Sequence, residues 1–133
     1  MMLISSPTKL SIRSDTKGDG HYGARRGIRR HKGTDFLCVP GQAVVCPIDN
    51  GIVTRENYPY PDLTYHGLTI RNKDITIVLF YCKALPGIVR QNVFRGQYIA
   101  DAEDISLKWG KDMEPHVHLE IKSINPEIFL KGF

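Results

Sequence analysis

The stretch EPHVHLEIK, residues 114–122, alternates polar and apolar side chains, and that period of two is the period of a strand. Successive side chains of a strand point to opposite faces, so His116 and His118 share one face while Val117 and Leu119 share the other. Glu120 continues the histidine face two residues on. The strand thus has an apolar side for a core and a polar side where two imidazoles converge. Two surface histidines on a half-exposed strand give the same pattern, so the rest of the chain has to decide between a metal and a solvated face.

Short apolar or β-branched runs recur upstream between turn signals. FLCV (36–39), AVVC (43–46) and GIVTR (51–55) are separated by Pro40-Gly41 and by PIDNG (47–51), and they read as strands joined by tight turns. ENYPYPDLTYHG reads as a surface loop leading into two strands around 68–82, with Asn72-Lys73-Asp74 as their hairpin turn. Pro86-Gly87 and Arg95-Gly96 punctuate further extended pieces, and DAEDISLKWG (101–110) offers one or two turns of helix. No segment has a sustained helical period. The fold class expected is all-β, with antiparallel sheets forming an open groove with long loops. There is no internal repeat, and the division expected is an N-terminal arm, 1–20, followed by a single domain, 21–133.

At 133 residues, 41% apolar and 24% charged, the chain is sized for one domain with a real core. The longest apolar run, Ile75 to Tyr81, is far too short to span a bilayer, so no membrane partner is expected, and the first residues lack the charged and apolar regions of a signal peptide. The expectation is synthesis in the cytoplasm and action outside it only after lysis, by a dedicated secretion route, or as part of a particle. The net charge of +4 is uneven, because residues 1–32 carry eight Lys/Arg against two Asp. GARRGIRRHK suits a solvated basic loop or attraction to a polyanion such as an anionic cell-wall polymer. Without interleaved aromatics it does not suit base readout, so nucleic acid is not an expected partner. The cysteines, Cys38, Cys46 and Cys82, are odd in number and lack C-x-x-C spacing, which points to small apolar core residues; a Cys38–Cys46 bridge stays open.

Partners for the H-x-H strand are available in RRHKGTDFL, where His31 and Asp35 lie four apart around Gly33 in a turn that enters a strand. One imidazole and one carboxylate from this turn, with a histidine of the late strand, make two nitrogens and one oxygen with a vacant position. That is the composition of a catalytic zinc site, although non-haem iron uses the same donor types.

The pair H-x-x-x-D (His31, Asp35) and H-x-H (His116, His118) resembles the lysostaphin-type zinc metallopeptidases, which are peptidoglycan endopeptidases. GQAVVCPIDNGIV resembles the family through Gly41, Val44, Pro47, Gly51 and Val53, VFRGQYIA through Val93, Gly96, Gln97 and Ile99, and INPEIFL resembles its usual ending. The resemblance covers roughly residues 20–130. It implies zinc held by His31, Asp35 and His118, His116 beside the metal as general base, and the peptide of peptidoglycan as substrate. A tyrosine lining the cleft corresponds to Tyr22, and Glu120 is placed to support a ligand histidine. The family's Y-x-H segment reads Tyr81-Cys82-Lys83 here, which sets lysine where a histidine that helps hold the developing negative charge is expected, and Lys83 becomes a substrate-facing candidate. A catalytically silent leukocyte chemotaxin branch of the family is similar around GHYGARRGIRRHKGTDFLC and LFYCK. The resemblance therefore implies either an endopeptidase, borne by a phage or mounted on a tail among other assembly proteins, or an inactive zinc-binding module of a larger assembly. His21 and His66 are expected in exposed loops, and Trp109 beneath a loop.

Overall fold

The structure, a computed structural model, describes residues 3–15, 18–20, 25–26, 29–30 and 33–129. Two short pairs precede the main body: β1 (Ser14–Asp15) with β2 (Gly18–Asp19), and β3 (Arg25–Arg26) with β4 (Arg29–Arg30). The main strands are β5 (Thr34–Leu37), β6 (Ala43–Val45), β7 (Gly51–Asn57), β8 (Gly67–Arg71), β9 (Ile75–Phe80), β10 (Cys82–Ala84), β11 (Asn92–Val93), β12 (Tyr98–Ala102) and β13 (His116–Ile124). One turn of helix, α1 (Ser106–Trp109), and a 3-10 turn, Pro126–Phe129, complete the described chain. The expected strands are present, and of the one or two helical turns expected over 101–110 a single turn forms.

Six strands form an antiparallel sheet in the order β11-β7-β8-β9-β13-β5, and three form a second in the order β10-β12-β6. Alternation along the strands explains why the sheets pack. Val53, Leu68, Ile70, Ile77, Leu79 and Val117 of the larger sheet join Val44, Cys82, Ile99 and Ala100 of the smaller one, with Cys46 just past β6, in a single apolar cluster. The opposite face of β13 carries His116, His118 and Glu120. The hairpin between β8 and β9 closes at the expected place: the Asn72 side-chain oxygen accepts from the backbone N–H of Asp74 at 2.8 Å and of Ile75 at 2.9 Å.

The N-terminal segment is seated along the edge of this body. Val45 N–H donates to Pro7 O, Leu37 N–H to Ser11 O and Arg13 N–H to Asp35 O, each at 2.8 Å, and Ile12 forms a bridge to Phe36. Arg95 fastens the start of the segment, donating to Ser5 Oγ at 3.0 Å and to Leu3 O at 3.1 Å while it pairs with Asp49 at 2.8 Å. These bonds satisfy donors and acceptors that an edge strand would otherwise leave open.

All three cysteines are buried and free, so no Cys38–Cys46 bridge forms. Burial pushes the Cys38 thiol up to about 12 and raises Cys46 and Cys82 as well. A thiol reagent at pH 8 should therefore label none of the three in the native protein and all three in denaturant, which mass spectrometry reads directly. Gly67 opens β8 opposite Phe80 because nothing larger fits: an added Cβ would lie 2.3 Å from Leu79 O and 2.7 Å from Phe80 Cδ1. Gly67→Ala should cost about 1–3 kcal/mol in urea denaturation through overpacking.

Candidate metal and catalytic site

The antiparallel pairing of β5 with β13 sets Asp35 directly across from His118, and that of β13 with β9 sets Phe80 on the other side of the same histidine. Asp35 thus occupies the second position of a strand, just past the turn read from the sequence. Its carboxylate is buried, and Oδ1 lies 2.7 Å from His118 Nδ1 while Oδ2 lies 3.6 Å from His116 Nε2. Phe80 stacks on the His118 ring at 6.0 Å between centroids. Gly33 leaves the room this imidazole needs, because a Cβ there would fall 2.7 Å from His118 Nε2.

The surroundings shift the two histidines in opposite directions. His116 Nδ1 lies 2.9 Å from the Glu114 carbonyl oxygen, which only accepts, so Nδ1 carries the proton and Nε2 keeps a lone pair toward Asp35. Burial lowers its pKa, against the pull of the Asp35 charge. His118 has carboxylate oxygens at both nitrogens: Asp35 at Nδ1, and Glu120 Oε1 at 3.0 Å from Nε2. Burial pulls its pKa down, but the bonds to Asp35 and Glu120 outweigh burial and the net direction is upward. Glu120 is shared with Lys122, whose Nζ lies 2.9 Å from Oε2.

Arg13, 1% exposed, donates through Nε at 3.2 Å and Nη2 at 3.0 Å to Asp35 Oδ2. Sequence reading did not single it out, because Arg13 is one of several basic residues in the N-terminal stretch and its neighbours Ser11 and Ser14 give no apolar pattern. Removing one partner of such a buried pair costs roughly 3–5 kcal/mol.

A wall of aromatics stands beside the histidines. The Tyr81 ring meets His116 edge-on at 5.4 Å, and its hydroxyl lies 3.1 Å from that of Tyr60. Trp109 Nε1–H donates to the same Tyr60 hydroxyl at 3.1 Å. The expectation that Trp109 lies beneath a loop is not met: at 47% exposed, it projects from a helix too short to bury a face. His66 is not a freely exposed loop residue either, since its Nδ1 lies 2.6 Å from Glu103 Oε2. Lys83 is exposed on β10, paired in register with Asp101 of the smaller sheet. His31, Tyr22 and His21 lie outside the described residues.

Among the described residues, no group of three His, Cys, Asp or Glu side chains is arranged to hold a metal. The donor chemistry at Asp35 and His118 nevertheless fits zinc: a carboxylate oxygen and an imidazole nitrogen converge, and the second nitrogen of that imidazole is tied to a carboxylate, as is usual for a ligating histidine.

No protein-family model and no curated protein matches the sequence. Solved structures do match. Lysostaphin from Staphylococcus simulans is similar over 98% of this chain at 20% identity, with a TM-score of 0.62. A variant of the catalytic domain of the prophage-encoded M23 protein EnpA from Enterococcus faecalis is similar over 88% of both chains, at 19% identity and a TM-score of 0.57. The chain has the lysostaphin-type M23 peptidase fold. A zinc-containing peptidase from Vibrio cholerae shares this fold over 89% of the chain, at 21% identity and a TM-score of 0.56. The chain spans 55% of the length of lysostaphin and 37% of that of the Vibrio peptidase. In this lysostaphin-type fold the H-x-H strand lies inside the larger sheet, between β9 and β5.

The opposite shifts at the two histidines have a measurable consequence. In metal-free protein, NMR titration of the ring protons should place His118 above the ordinary histidine value of 6.5 and His116 below it. The stability that His118 contributes is fully present below its unfolded value and is lost as pH rises through its folded one. His116 acts in reverse, because the unfolded chain takes up its proton first as pH falls below about 6.5.

Proposed function

We propose that the chain is a zinc-dependent endopeptidase that hydrolyses peptide bonds of bacterial peptidoglycan. The observation that carries this reading is the approach of Asp35 Oδ1 to His118 Nδ1 at 2.7 Å beside a second imidazole, that of His116, in a fold shared with peptidases. In it, Asp35 and His118 would hold the metal with His31 as third ligand, and Glu120 would fix the His118 imidazole through its bond at Nε2. Zinc bound there would make water more acidic near neutral pH and would polarise the scissile carbonyl. His116 accepts the proton of the attacking water at Nε2, the nitrogen its bond to the Glu114 carbonyl leaves unprotonated, and can return it to the leaving amine. Tyr22 and Lys83 contact the substrate. A phage-borne or tail-associated lytic component, acting at the cell wall after lysis or as part of a virion with other assembly proteins, accords with the prophage origin of the EnpA structure.

A second reading, a catalytically inactive zinc-binding module serving a larger assembly, is favoured by one observation. Lys83 stands where the resemblance expects a histidine, and it is exposed on the smaller sheet. Incubation of zinc-loaded protein with purified peptidoglycan, followed by muropeptide chromatography, separates the readings. The enzyme reading expects new peptide termini, abolished by chelator and reduced about 100-fold or more in His116→Ala. Bound zinc without cleavage by the wild type overturns it in favour of the inactive module.

A further inference from the structure

The geometry points to Arg13 as a positioning residue that determines which oxygen of Asp35 faces the proposed metal position. The inference rests on the reading of Asp35 and His118 as metal ligands, and deepens it by bringing the N-terminal segment into the site.

Two guanidinium nitrogens of Arg13, Nε at 3.2 Å and Nη2 at 3.0 Å, fall on the same oxygen, Asp35 Oδ2, and the other oxygen, Oδ1, is the one 2.7 Å from His118 Nδ1. Both residues are nearly inaccessible, at 1% and 2% exposed, so the pair is not screened by solvent. The backbones are locked as well: Arg13 N–H donates to Asp35 O at 2.8 Å, Asp35 N–H to Gly20 O at 2.7 Å, and Gly20 N–H to Arg13 O at 2.7 Å. That closed ring of bonds requires the close approach that Gly20 allows, since a Cβ there would sit 2.8 Å from Asp35 Cβ and 2.9 Å from Arg13 Cβ.

A carboxylate free to rotate can offer a cation both oxygens. Here the guanidinium, a planar fork that stays charged at any working pH, occupies Oδ2 and leaves Oδ1 aimed at the imidazole. It also supplies a permanent positive charge beside Asp35, so the carboxylate is compensated before any metal arrives and the ligand pair is formed in advance. Lysine cannot replace it, because a single ammonium lacks the fork.

The test uses the full chain with Arg13→Met and Arg13→Lys, zinc affinity from competition with a chromophoric chelator, and the d–d absorption of bound cobalt, whose intensity reports coordination number. Arg13→Met should weaken zinc binding about 10–100-fold and alter the cobalt spectrum as Oδ2 becomes available to the metal. Arg13→Lys keeps the charge and carries the test if the methionine variant does not fold; it should lose affinity in the same direction and show the same spectral change. Wild-type affinity and an unaltered cobalt spectrum in the folded variants would overturn the positioning role while leaving the zinc reading intact. A wild-type chain that binds neither zinc nor cobalt overturns both.

Discussion

The register between β5 and β13 is the constraint on which the site depends. Antiparallel pairing places Asp35 opposite His118 and Phe36 opposite Val117, so the strand that sends a carboxylate to one face sends an aromatic ring toward the core on the other. A slip of one residue would exchange the two faces, burying histidines among aliphatics and exposing Val117 and Leu119. Apolar burial on one side therefore fixes the chemistry on the other. Both faces of β13 are specified by one decision, and the sequence makes that decision through the strict alternation of His116 to Glu120.

Charge follows the same geometry. Arg13, Asp35, His118, Glu120 and Lys122 form a row in which basic and acidic side chains alternate across the buried end of the sheet. Each carboxylate lies between two positive or proton-bearing neighbours, which is how a low-dielectric site can retain two ionised acids. The row grades from fully buried at Arg13 to half-exposed at Lys122, so its inner members are held by geometry and its outer member by weaker, solvent-screened attraction.

Much of this was legible from residues alone, for physical reasons. Period-two alternation and proline or glycine punctuation mark the strands from Phe36 onward, and the pairing of His31-x-x-x-Asp35 with His116-x-His118 marks the site. Arg13 was not legible, because a basic residue in a basic N-terminal stretch gives no sign that it turns inward; the bridge of Ile12 to Phe36 and the backbone bond of Arg13 to Asp35, both between residues far apart in sequence, make it a neighbour of Asp35. Trp109 was misplaced because tryptophan is buried on average, whereas the turn of helix that carries it has no buried residue. The placement of His66 against Glu103 joins residues 37 apart in sequence and was beyond any local pattern.

Tyr81 sits at the corner where the chain leaves the larger sheet for the smaller, at φ 68°, and both its N–H and that of Cys82 converge on the carbonyl of His66. A side chain other than glycine in this left-handed conformation carries on the order of 1 kcal/mol or more of unfavourable backbone energy. Glycine would relieve it, yet would remove the ring whose edge leans on His116 and whose hydroxyl reaches Tyr60. The corner thus pairs an unfavourable backbone conformation with a ring packed against an imidazole, so relieving the one by substitution forfeits the other.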